Sequence, residues 1–163
     1  MKDPWTRMSA DDAAQVIEHN AMVAFSGFTP AGSPKALPAA IARRASELHQ
    51  AQQPFQIRLL TGASIGAAAD DALSEADAIS WRAPYQTSGS LRQKINQGQV
   101  RFVDLHLSEV AQMVNYGFFG DIDVAVIEAS AIASDGRVWL TSGIGNAPTW
   151  LLRAKKVIIE LNH

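Results

Sequence analysis

The chain has 163 residues, the length of one ordinary domain and enough to bury a sizeable core. Fourteen Lys and Arg against sixteen Asp and Glu leave a net charge of -2, so no strong field is available to hold nucleic acid or an anionic membrane. The absence of cysteine excludes disulfides, thiolate catalysis and cysteine-ligated metal clusters; no apolar run nears the ~18 residues of a membrane span and no basic-then-apolar leader opens the chain, which predicts a soluble cytoplasmic domain.

Ser9-Ala10-Asp11-Asp12 has the spacing of a capping box, with Asp in place of Glu or Gln, and predicts a short helix through Ile17. Ala21–Phe25 is an apolar run long enough for a buried strand, and the glycines and prolines of Ser26–Pro34 forbid either element from continuing. A helix then begins near Lys35, with Leu37, Ile41, Ala45 and Leu48 on one face. Ile57–Leu60 is the next strand and opens into Thr61–Gly66. The alternation continues with a helix over 70–76, a strand over 79–82, a helix over 91–96 and a strand over 101–103. Leu107, Val110, Ala111 and Val114 fall at i, i+3, i+4 and i+7, an amphipathic helix. Ile122–Ile127 is the clearest strand, apolar enough to be covered on both faces. Asp135-Gly136 between 131–133 and 138–140 predicts a hairpin, and a last helix over 147–154 leads into a strand at 157–159. The whole predicts an α/β domain: an open, mainly parallel sheet flanked by helices, with a late β-hairpin.

In such sheets ligands bind outside the carboxyl ends of the strands, which directs attention to the loops. Glycines in Gly27–Pro34 let a backbone approach closely, and N–H groups at the following helix start can face a carboxylate or phosphate. Pro30 and Pro34 lack that donor, and a tight strand-to-helix connection accounts for the loop equally well. It is neither a phosphate-binding P-loop nor a dinucleotide fingerprint. Ser64, in Thr61-Gly62-Ala63-Ser64, and Thr87, in Trp81–Ser88, each follow a strand; their hydroxyls suit a substrate carboxylate, and suit helix capping as well. In Ser142–Asn146, Asn146 serves as an N-cap while Gly143 and Gly145 leave room for a ligand. His19, His49, His106 and His163 lack zinc-site spacing, and no G-x-S-x-G elbow occurs. Arg153, Lys155 and Lys156 are assigned to the negative end of the last helix.

Taken together, the run Val23–Pro38 resembles the amino-terminal signature of the acetyl-CoA hydrolase/transferase family. Leu60–Ser64, Arg82–Thr87, Asp104–Glu109 and Asp121–Ser130 agree with it in order, so the resemblance covers essentially the whole chain and leans to the propionyl-CoA and acetate CoA-transferase branch. It implies a CoA-transferase-like amino-terminal domain spanning 1–163, with a catalytic carboxyl-terminal domain outside this chain. The implied chemistry moves coenzyme A from an acyl thioester to a carboxylate through a glutamyl thioester, or to water, with acyl-CoA and small carboxylates as partners and no permanently bound cofactor or metal. The nucleophilic Glu is expected in the other domain, so Glu109, in the look-alike Ser108-Glu109-Val110, is read as a helix-surface carboxylate. Ser64 and Thr87 match the family's hydroxyls facing the substrate carboxylate, and Gly27, Thr29 and Gly32 match the neighbouring wall. The fragment alone is expected to be inactive, and a homodimer is left open. The rival expectation is a non-enzymatic sensor of small acids or phosphosugars on a similar sheet.

Overall fold

A computed structural model describes residues 5–162, so His163 lies outside the described residues. The elements run α1 (Ala10–Gln15), β1 (Met22–Phe25), α2 (Ala36–Gln50), β2 (Ile57–Thr61), α3 (Ala72–Glu75), β3 (Ile79–Ala83) and α4 (Gly89–Asn96). They continue through β4 (Arg101–Phe102), α5 (Leu107–Asn115), β5 (Ile122–Ile132), β6 (Val138–Leu140), α6 (Ala147–Arg153) and β7 (Ala154–Leu161). The strand order is β4-β3-β2-β1-β5-β6, with β7 also pairing β5; every pairing is parallel except β5 with β6.

Helices cover both faces because the strands carry apolar side chains on both. Val23 and Phe25 of β1 join a core with Ile17, Leu37, Ile41, Leu73 and Leu91, which places α1 to α4 on one face. Met22 and Ala24 point the other way, toward Val110, Val114, Ala147 and Trp150 of α5 and α6. Trp150 is fully buried, and its indole N–H donates to Phe25 O at 3.0 Å, pinning α6 beneath the end of β1.

The Ser9 box forms in altered shape. Asp12 N donates to Ser9 Oγ at 3.1 Å, and Asp12 Oδ2 accepts a hydrogen bond from the Ser9 hydroxyl at 2.7 Å, because Asp is too short to reach the cap's own N–H. The helix expected at 70–76 begins earlier, as a π turn over Ala67–Asp71 that runs into α3. The strand expected at 101–103 is the two-residue edge strand β4. Strand 122–127 and the first hairpin arm are one continuous 11-residue strand, β5, since no turn residue interrupts Glu128–Ser130. Gly136, at φ 89°, turns the chain back into β6, and Ala133 N donates to Arg137 O at 2.8 Å.

Of the three last basic residues, Arg153 lies in the last turn of α6, and the two lysines belong to β7 instead. Lys155, in β7, pairs with Asp121 at 3.1 Å and Asp123 at 3.0 Å, and Arg153 reaches Asn115 O at the end of α5. Burial alone would raise the Asp123 carboxyl, yet the Met22 N–H and the Lys155 ammonium together hold it below the usual carboxylate range.

The chain steps outward from β1 through β2 and β3 to β4, then returns to the other side of β1 as β5. That reversal puts the topological switch point between β1 and β5, where an open α/β sheet forms its crevice.

Candidate functional site

Ser64 and Thr87, 23 residues apart in sequence, meet at the carboxyl ends of β2 and β3. Their hydroxyl oxygens lie 2.7 Å apart. Ser64 is 5% exposed, whereas Thr87 faces solvent, so the pair runs from the interior to the surface. Neither caps a helix. The cap of α4 is Ser88, which accepts from Leu91 N at 3.1 Å, and the residue ahead of the π turn is Gly66. Both hydroxyls are therefore free of the structural duty that was their alternative explanation.

Directly behind them is a feature that sequence reasoning missed. Asp70 and Arg82 are each fully buried and joined by two bonds, Arg82 Nε to Asp70 Oδ1 at 3.0 Å and Nη2 to Oδ2 at 3.3 Å. Asp70 Oδ2 also lies 3.4 Å from Ser64 Oγ, and Arg82 Nη2 donates to Tyr85 O at 3.0 Å. The available signal was Arg82 itself: a charged residue inside an apolar strand needs a buried partner.

The loops that follow β1 and β6 are built differently. Gly27 and Gly32 sit at φ 112° and 70°, and their missing side chains are spaces filled by the protein's own backbone. A Cβ on Gly32 would lie 2.1 Å from Gly143 O, one on Gly143 2.0 Å from Ala31 O, and one on Gly145 2.4 Å from Gly27 O. The room expected for a ligand at Gly143 and Gly145 is thus occupied by loop against loop. Asn146 stands at the start of α6 without a side-chain capping bond. Thr29 is exposed at the loop tip at φ 55°, an unusual conformation for a β-branched residue, and its hydroxyl donates to Phe28 O at 2.6 Å.

The N–H groups at the start of α2 are also taken. Glu160 of β7 accepts from Lys35 N at 2.6 Å, Ala36 N at 3.0 Å and Leu37 N at 2.9 Å. Beside it in register, Glu128 is 3% exposed and receives Lys35 Nζ at 2.7 Å, Thr141 Oγ1 at 3.0 Å and Asn162 Nδ2 at 3.0 Å. Ser26 completes the closure by accepting from Glu128 N and donating to Gly32 O. The polar groups here are spent on one another.

Elsewhere the candidates are plain. Glu109 is exposed in the first turn of α5, where a negative charge complements the helix end. His19 and His49 bond to the backbone of Gln56 and Phe55, and His106 precedes α5 without capping it. Among the described residues no three His, Asp or Glu side chains converge as metal ligands do, and no helix is long and apolar enough to cross a membrane.

A mainly parallel sheet flanked by helices defines an α/β domain, and comparison with known proteins makes the class specific. The profile of the acetyl-CoA hydrolase/transferase N-terminal domain matches residues 1–163, and the chain belongs to that family. It is 83% identical over 163 residues to the propanoyl-CoA:succinate CoA transferase of Escherichia coli K12, covering all of this chain and 33% of that protein. It is 43% identical over 156 residues to the succinyl-CoA:acetate CoA-transferase of Clostridium kluyveri, covering 96% of this chain and 28% of that one. The chain thus spans about a third of the length of the curated relatives it matches. Glutaconate coenzyme A-transferase from Acidaminococcus fermentans superposes with a TM-score of 0.67 at 15% identity, over 94% of this chain and 68% of that one, which shows a shared fold. The expected CoA-transferase-like architecture is the observed one.

Proposed function

We propose that this chain is the amino-terminal domain of an acyl-CoA:carboxylate CoA-transferase or acetyl-CoA hydrolase, and that it supplies the carboxylate side of the pocket. The observation that carries the reading is the family match over residues 1–163, with relatives named as CoA-transferases. The same match weighs against a small-acid or phosphosugar sensor.

In this reading the Ser64–Thr87 hydroxyl pair serves the carboxylate, and the loop carrying Gly27, Thr29 and Gly32 forms the adjoining wall. The glycines shape that wall by closing the switch point rather than by touching substrate. A glutamate outside residues 1–163 attacks the acyl-CoA carbonyl and expels the coenzyme A thiolate, giving an acyl-glutamyl anhydride. The thiolate attacks the glutamyl carbonyl, releasing the carboxylate and leaving a glutamyl thioester. A second carboxylate attacks this thioester and expels the thiolate again. The thiolate then takes the new acyl group, restoring the glutamate. Water in place of the second carboxylate gives hydrolysis, so a transferase must keep the thioester dry.

Residues 1–163 hold the carboxylate-facing part of this apparatus and none of its covalent steps. Thioester exchange assayed on the isolated chain beside the full-length protein tests the assignment: the chain alone is expected to show no turnover above background, and full-length-like turnover would overturn it.

A further inference from the structure

The Asp70–Arg82 pair has no part in the chemistry above, yet it lies directly beneath the hydroxyls. Arg82 Nη2 donates to Asp70 Oδ2 and to Tyr85 O, and Nη1 donates to Ala83 O. One guanidinium therefore fastens the turn after β2, which carries Ser64, to the connection after β3, which carries Thr87. Stability is a weak account of it, because a buried ion pair gains little over apolar side chains of the same volume. The backbone is also shaped for it. Gly66 sits at φ 79°, ψ -177°, a region essentially closed to other residues, and the π turn that follows carries Asp70 to the interior.

Counting protons shows what the pair controls. The single hydroxyl proton of Ser64 has two acceptors within reach, Thr87 Oγ1 at 2.7 Å and Asp70 Oδ2 at 3.4 Å. Given to Asp70, it obliges Thr87 to donate inward to Ser64 and to present only lone pairs to solvent, which repel a carboxylate. Given to Thr87, it leaves the Thr87 proton directed outward, where a carboxylate oxygen accepts it. Two N–H groups already claim the two lone pairs of Asp70 Oδ2, Arg82 Nη2 at 3.3 Å and Ile65 N at 3.4 Å, while Arg82 Nε holds Oδ1 at 3.0 Å. They leave Ser64 its shorter bond to Thr87.

We propose that Asp70 and Arg82 are positioning residues that orient the Ser64–Thr87 hydroxyl pair to donate outward, to the carboxylate of a small-acid substrate. The proposal rests on the carboxylate-binding role given to these hydroxyls above. Ser64 then acts through Thr87, and Thr87 is the group that touches the ligand.

The test uses the full-length protein and compares KM for the free carboxylate with KM for acyl-CoA. Arg82→Lys keeps the charge but loses the planar fork, and Asp70→Asn keeps the shape but substitutes an amide donor. Each is expected to raise the carboxylate KM about tenfold, the value of one charge-assisted hydrogen bond, with a smaller change for acyl-CoA. Combined with Thr87→Ala, neither adds more than about twofold, since the group they orient is gone. Should a change at the buried pair prevent folding, Ser64→Ala breaks the relay without touching a buried charge. It should match Thr87→Ala, and the Ser64→Ala/Thr87→Ala double variant should be no worse than either. A tenfold loss with Thr87→Ala but wild-type KM in Arg82→Lys, or losses that add fully in the double variants, overturns the positioning role alone. An unchanged carboxylate KM in Thr87→Ala overturns the carboxylate-binding role and the positioning role together.

Discussion

Two loop clusters stand at the same carboxyl edge of one parallel sheet, and they have opposite character. In the loops after β1 and β6 the glycines of 27–32 and 143–145 press backbone on backbone, while Glu128 and Glu160 are satisfied by Lys35, Thr141, Asn162 and the start of α2. Beyond β2 and β3 two small hydroxyls form a chain that ends in solvent at Thr87. The first cluster occupies the switch-point crevice where the fold usually receives a ligand; the second has a donor left to offer. A glycine-rich loop is thus evidence of close approach, and what approaches can be the protein itself.

Changes in the closed cluster should register as stability, and those in the open one as substrate use. The largest stability loss is expected for Trp150→Ala, about 3–5 kcal/mol by urea denaturation, because it empties a large buried site and orphans the Phe25 carbonyl. Gly32→Ala comes next at about 2–3 kcal/mol, since a methyl group would collide with the Gly143 carbonyl. A near-neutral Gly32→Ala would show that the closed cluster opens in solution. Glu160→Gln should cost about 1 kcal/mol by weakening the anionic cap on α2.

The smallest effect is a control remote from both clusters. The Asp123 carboxyl is held below its ordinary value, so its contribution is present above about pH 4 and is lost as pH falls through the lower folded value. Asp123→Asn should therefore lower stability slightly above about pH 4, leave it nearly unchanged below the folded value, and so flatten the acid limb of a stability–pH curve.

The alternation of apolar runs and turn residues made the parallel α/β sheet legible, because residues such as Ser26-Gly27, Gly62, Pro84 and Gly120-Asp121 punctuate the apolar runs. Ser64 and Thr87 were legible as chemistry and by resemblance. Their contact was not, since it depends on the neighbouring placement of β2 and β3. The Glu160 cap on α2 and the Glu128 network span more than 90 residues of sequence and leave no local pattern. The π turn escaped for a related reason: Ala67–Asp71 has ordinary helical composition, and what shapes it is the Gly66 backbone ahead of it and the buried Arg82 that receives Asp70.

The account's central claim is that the open hydroxyl pair, and not the glycine cluster, receives the carboxylate. Its most direct test is the acceptor-carboxylate KM of Thr87→Ala in the full-length protein, read beside its melting temperature. The account predicts a rise of about tenfold, one hydrogen bond to a charged group, with the melting temperature held near wild type. A wild-type KM for every carboxylate tried would contradict it.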